Sequence, residues 1–245
     1  MRINKYLASA TGLSRRSADE AVANGRVTVN GKTAEQGSQV TPTDVVALDG
    51  RSVHAPVAHT TIILHKPVGF VVSRSGQGSR TIYDILPPQY HRLNPIGRLD
   101  KDSSGLLLLT DDGNLAHELA HPSRQKTKIY EVTLDKPLQP LHHQMISDYG
   151  VMLEDGPSKF QITRLGLPAG HEAQAKPLGR RRHNSEFTSK SAPEGKALLV
   201  TMHEGRNRQI RRTFEALGYS VQTLHRTHFG PYMLGNLKAG NIYEF

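Results

Sequence analysis

The chain has 245 residues, 36% of them apolar, and its 31 Lys and Arg against 22 Asp and Glu leave a formal charge of +9. That surplus predicts a polyanionic partner, nucleic acid first, while the lack of any apolar run of about 18 residues predicts neither a spanning helix nor a signal peptide. With no cysteine, disulfides, thiolate zinc cages of the base-deaminase kind and thiol attack on a pyrimidine are excluded, and a reducing cytoplasm is the expected compartment.

Ile3, Leu7 and Ala10 recur at helical spacing, and Gly12 ends that run. Ser14 is placed to cap a second helix carrying Ala18, Ala21 and Val22, closed by Gly25. Val27 to Ala34 reads as strand, Asn30-Gly31 turn of type I′ and strand. Arg15 and Arg16 fall in the first turn of the second helix, where free backbone N–H groups also attract phosphate; a solvated helix face is the plainer alternative. The runs Arg2 to Leu7, Gly12 to Ala18 and Gly25 to Gly31 resemble the S-four-like RNA-binding domain named after a small-subunit ribosomal protein. The resemblance implies a grip on RNA backbone phosphates, with Lys5, Arg15, Arg16, Arg26 and Lys32 as the contacting cations. Residues 1–53 are read as this domain, 54–60 as a linker and 61–245 as a second domain.

The second domain opens on a strand at Thr61 to Leu64, followed by His65-Lys66-Pro67-Val68-Gly69. Leu106 to Leu109 form a short apolar run closed by Asp112-Gly113, the mark of a strand buried on both faces. Further strands are expected at Lys128 to Leu134 and Ala197 to Met202, with helices at Asn114 to Ala120 and Asn207 to Leu217. This irregular interleaving predicts an α+β fold on a mixed, mainly antiparallel sheet. Residues 168–196 show no periodicity, contain Arg180-Arg181-Arg182-His183 and are expected to form a mobile basic loop.

Two metal motifs fail on inspection. His117-Glu118-Leu119-Ala120-His121 fits H-E-x-x-H, but Pro122 ends the helix where the second ligand should sit. Asp100, Asp102, Ser104 and Asp111 match a calcium loop only in part, because leucines fill its seventh to tenth places. Neither a metal nor a nucleotide cofactor is expected, since no G-x-x-x-x-G-K-[ST] or G-x-G-x-x-G loop is present either.

Asp100 stands in the Gly-bounded loop Gly97-Arg98-Leu99-Asp100-Lys101-Asp102-Ser103-Ser104-Gly105, at the mouth of the leucine strand. A charge held there is either paired with a cation or put to chemical use. Tyr130 alternates onto the face of Val132 and Leu134, a pattern that a core tyrosine also satisfies. In Glu204 to Phe214, four arginines (Arg206, Arg208, Arg211, Arg212) crowd a helix start, which predicts anion binding.

Together with the N-terminal runs, Leu64 to Gly69, Gly97 to Gly113, Lys128-Ile129-Tyr130 and Glu204 to Arg212 resemble the bacterial ribosomal pseudouridine synthases of the RsuA/RluB type. The resemblance implies cofactor-free isomerisation of a uridine in ribosomal RNA or a pre-ribosomal particle; a monomer with no membrane partner is expected. It implies Asp100 as the catalytic carboxylate, Arg211 as its salt-bridge partner and Tyr130 as the residue stacked on the base. Ile210, Arg98, Arg208 and Lys66 would complete the substrate contacts. Gly150 to Pro157 looks most like the members acting on 23S rRNA; a 16S enzyme and a non-catalytic assembly factor are the alternatives.

Overall fold

The computed structural model describes residues 1–54, 59–164 and 195–245. Residues 55–58 of the expected linker, and all of the expected basic loop before residue 195, therefore lie outside the described residues. The N-terminal unit begins with α1 (Ile3–Thr11) and α2 (Arg15–Ala23). Ser14 caps α2 by accepting from the Ser17 N–H, and Gly12 closes α1 at φ 77°. Strands β1 (Val27–Val29), β2 (Lys32–Thr33), β3 (Val46–Leu48) and β4 (Arg51–Val53) follow, in sheet order β2-β1-β3-β4. Asn30 and Gly31 both have positive φ, 50° and 80°, as the type I′ turn requires. Ile3, Leu7, Ala18, Ala21, Val22 and Val27 pack the helices onto the sheet.

A nine-stranded sheet organises the rest. It comprises β5 (Thr61–Lys66), β6 (Asn94–Pro95) and β7 (Ser104–Thr110), then, after α3 (Gly113–Ala120), β8 (Lys128–Leu134). A short α4 (Pro140–Gln144) leads to a separate hairpin of β9 (Val151–Leu153) and β10 (Gly156–Ser158). The sheet resumes with β11 (Gln161–Arg164) and β12 (Ala197–Met202). Beyond α5 (Gln209–Ala216) come β13 (Val221–Phe229), β14 (Tyr232–Met233) and β15 (Ile242–Glu244). The main order is β11-β12-β8-β13-β7-β5-β15. Apart from an isolated Val71–Thr81 bridge, only β13 and β7 run parallel among the described residues, so the α+β, mainly antiparallel expectation holds.

The leucine strand is buried on both faces. Leu107 and Leu109 join one core with Ile62, Leu64, Val132 and Phe214, while Leu106 and Leu108 join another with Ile63, Ile96, Leu119 and Phe229. Gly105 permits the parallel pairing beside it, because a Cβ there would lie 2.2 Å from the Arg226 carbonyl oxygen. Sequence periodicity missed β13: its interior Gln222, Thr223, His225, Arg226 and Thr227 hide a central strand behind polar residues. No helix among the described residues is long and apolar enough to cross a membrane.

Candidate active site

A cleft of about 550 Å³ opens where the Asp100 loop, β8, β13 and the start of α5 converge. Asp100, Arg98, Tyr130, Arg208 and Ile210 all line it. Leu99, only 6% exposed, anchors the loop, and Ser103 N–H donates to the Asp100 carbonyl at 3.1 Å. The Asp100 carboxylate itself is one-third exposed, facing the cleft rather than the core. Tyr130 lies almost buried directly across from Arg226 on β13. Ile210, on the first turn of α5, adds an apolar wall. Met202 and Leu224 extend that wall; nothing in their local pattern distinguishes them from ordinary core residues.

Lys66 stands elsewhere than expected. Its side chain is fully buried beneath the loop, and Nζ donates to the carbonyls of Ser103 (2.7 Å), Asp100 (2.9 Å) and Pro67 (3.0 Å). All three ammonium protons are thereby used, so Lys66 braces the Asp100 backbone instead of meeting substrate. Burial pushes its pKa down to about 8, against the opposing pull of the Asp100 and Asp102 charges.

The arginine cluster also needs correction. Arg211 does not pair with Asp100: its Nε is 3.3 Å from Asp102, and its Nη2 donates to the Asp102 carbonyl at 3.0 Å. The guanidinium that reaches Asp100 is that of Arg208, 3.4 Å from Oδ2 and 3.2 Å from Asp102 Oδ1. Arg208 takes this bridging place because it sits before α5 in the left-handed conformation, φ 46° and ψ 31°, rather than within the helix. Arg206 and Arg212 are drawn to Asp155 in the β9–β10 turn, at 3.0 and 2.7 Å. The anions that gather these four arginines are the protein's own carboxylates. Burial raises the Asp102 pKa, but the hydrogen bond from Arg208 and the charge of Arg211 outweigh it and hold the carboxyl below its usual range.

The N-terminal cations divide differently. Arg15, Arg16 and Lys32 are exposed, and among the described residues Arg15 makes only a long 3.4 Å contact to Asn4. Arg26 is committed to a bidentate pair with Asp49 at 2.8 and 2.5 Å. Lys5 crosses to the other unit, donating to Asn114 Oδ1 at the start of α3 at 2.7 Å. At the H-E-x-x-H run, His121 lies past the end of α3 with extended backbone, its ring centroid 4.9 Å from that of His117.

Residues 60–216 match the family model described as RNA pseudouridylate synthase, and residues 1–46 match the S4 domain. The chain is 35% identical to the ribosomal large subunit pseudouridine synthase B of Bacillus subtilis (strain 168), over 99% of this chain and 91% of that one. It is 33% identical to the ribosomal small subunit pseudouridine synthase A of Pasteurella multocida (strain Pm70), over 100% of this chain and 95% of that one. A solved pseudouridylate synthase structure superposes with a TM-score of 0.64 at 27% identity, covering 100% of this chain and 96% of the other.

Proposed function

Because the chain belongs to the RNA pseudouridylate synthase family, we propose that it isomerises a uridine of ribosomal RNA with Asp100 as the catalytic carboxylate. The observation that carries the reading is one carboxylate, partnered by Arg208, open to a cleft whose walls are Tyr130 and Ile210. Cutting the base from its ribose and rejoining it through carbon 5 needs the nucleotide out of its stack, at a cost of a few kcal/mol. Tyr130 and Ile210 offer the everted ring the apolar contacts it left behind. Arg208, 3.4 Å from the Asp100 carboxylate, fixes its direction; Arg211 acts one step back, by holding Asp102 and the loop.

Arg98, exposed at the rim, is positioned for the RNA backbone, as are Arg15, Arg16 and Lys32 on the N-terminal unit. We assign the target to large-subunit RNA, on the likeness of Gly150 to Pro157 to enzymes of that kind and on the Bacillus relative's name. The Pasteurella relative's name favours small-subunit RNA as the second reading. Mapping pseudouridine in both rRNAs, from cells with and without this protein, decides between them.

Asp100→Asn tests the chemistry. It is expected to fold and bind RNA normally while tritium release from uridine labelled at carbon 5 drops by about 10³-fold or more. Release at the wild-type rate would remove Asp100 from the reaction, whereas no release by the wild-type protein on any rRNA would leave the assembly-factor reading in place.

A further inference from the structure

Arg226 is the largest of the fully buried side chains, at 2% exposure, yet it lines the same cleft as Asp100. Its Nε donates to the Leu106 carbonyl at 2.8 Å, where β13 has parted from β7 after the Arg226–Gly105 pair. Its Nη2 is buried without a hydrogen-bond partner among the described residues. An unmade bond on a buried guanidinium is costly, so the arrangement calls for a ligand.

The surroundings define what kind. Lys128, across the sheet on β8, also lines the cleft; its Nζ lies 5.5 Å from the Phe229 ring centroid, and the Arg226 guanidinium lies 5.1 Å from the same centroid. Burial lowers the Lys128 pKa and the Arg226 charge lowers it further, with Glu204 opposing. Glu204 does not cancel the pair, since its carboxylate accepts from Gln209 and lies 3.7 Å from Arg206. Two adjacent cations, one with an open donor, favour an anion over a neutral carbonyl. On a strand of RNA the only fixed anion is the phosphodiester.

Resting on the function proposed above, we propose that Arg226, with Lys128 beside it, binds a phosphate flanking the target uridine and so holds the everted nucleotide against Asp100. Arg226 is then a substrate-binding residue inside the cleft, distinct from the rim and N-terminal cations that grip the RNA at large.

The test is a two-by-two cycle of kcat/KM, using an rRNA fragment that the wild-type enzyme modifies. One arm replaces Arg226→Gln; the other replaces each phosphate flanking the uridine, in turn, by an uncharged methylphosphonate. Each change alone is expected to lower kcat/KM about 10- to 100-fold, the worth of a hydrogen bond to a charged group. Made together at the contacted phosphate, they should cost little more than either alone. Fully additive losses, or no loss from either methylphosphonate with wild-type enzyme, would overturn the assignment. A purely structural role for the Nε–Leu106 bond would lower Tm and leave the methylphosphonate penalty undiminished. If Arg226→Gln does not unfold cooperatively, Arg226→Lys replaces it in the cycle, and additivity again overturns. Failure of the wild-type enzyme on any native rRNA would sink the parent reading instead.

Discussion

The N-terminal unit and the α5 region are both rich in cations, yet they use them in opposite ways. On α2 and the first hairpin, Arg15, Arg16 and Lys32 stand in solvent without carboxylate partners among the described ion pairs. Around α5, Arg206, Arg208, Arg211 and Arg212 are each within 4.0 Å of an Asp. Arg211 retains only 10% of its side-chain exposure. Exposed cations cost nothing in desolvation and are free to exchange counterions for phosphate. Half-buried ones must be matched within the fold, and their work is to hold loops in place. Arginine content alone therefore does not locate an RNA surface; burial separates grip from scaffold.

The sharpest way to break the comparison is at Lys66, the most deeply enclosed cation. Lys66→Met removes the ammonium donor from three carbonyls, the Asp100 one keeping the Ser103 N–H, and should cost about 3 kcal/mol in denaturant unfolding, with turnover falling as the Asp100 loop relaxes. Loss of activity with full stability would place Lys66 in the reaction after all. The same residue predicts a pH response. Its pKa is about 8 in the fold against an ordinary 10.5, so between those values the unfolded chain holds more protons. Lys66's own contribution to stability thus rises with pH across that window. The neutral amine, however, can donate only two of its three bonds. Turnover is expected to fall as pH passes about 8, while the stability difference between wild type and Lys66→Met widens. A difference that shrinks with rising pH would contradict this.

Next in size comes a contrast within α5. Arg211→Gln removes contacts to Asp102, Ser103 and Val221, and should destabilise by about 2 kcal/mol. Arg208→Gly removes the cation on Asp100 but also relieves a left-handed backbone, a gain of about 1 kcal/mol. Its stability should be nearly unchanged and its kcat lowered about tenfold. Equal melting curves for the two variants would erase the distinction between brace and site. The smallest effect belongs to the N-terminal unit. Arg15→Ala with Arg16→Ala should leave Tm and kcat alone, weaken RNA binding several-fold and flatten the log–log salt slope by about 2. An unaltered slope would remove these arginines from the RNA surface.

Much of this was legible in the chain. Leu106 to Leu109 announced their two-faced burial by composition, Asn30-Gly31 its turn, and Gly97 to Gly105 the loop that presents Asp100. Tyr130 and Ile210 fell on the strand and helix assigned to them. The failures share one cause: partners distant in sequence. Nothing near Lys66 shows that it will be roofed by Asp100 and Ser103, more than thirty residues on. Nothing near Arg211 shows that Asp102 will claim it. Arg226 was passed over because β13 carries its cleft-facing cation in a run of polar residues, without the alternation by which strands are recognised, and Lys128 because nothing near it on β8 shows that Arg226 will lie beside it.

That strand order has a consequence for synthesis. β13 is inserted between β7 and β8, so the strands bearing the acid's loop and the tyrosine are not neighbours in their own right. A nascent chain that has not yet emitted residue 229 holds both, but with the plank between them missing. The enzyme is thus expected to stay inert until that strand has emerged, and to acquire its chemistry in one late step of long-range sheet closure.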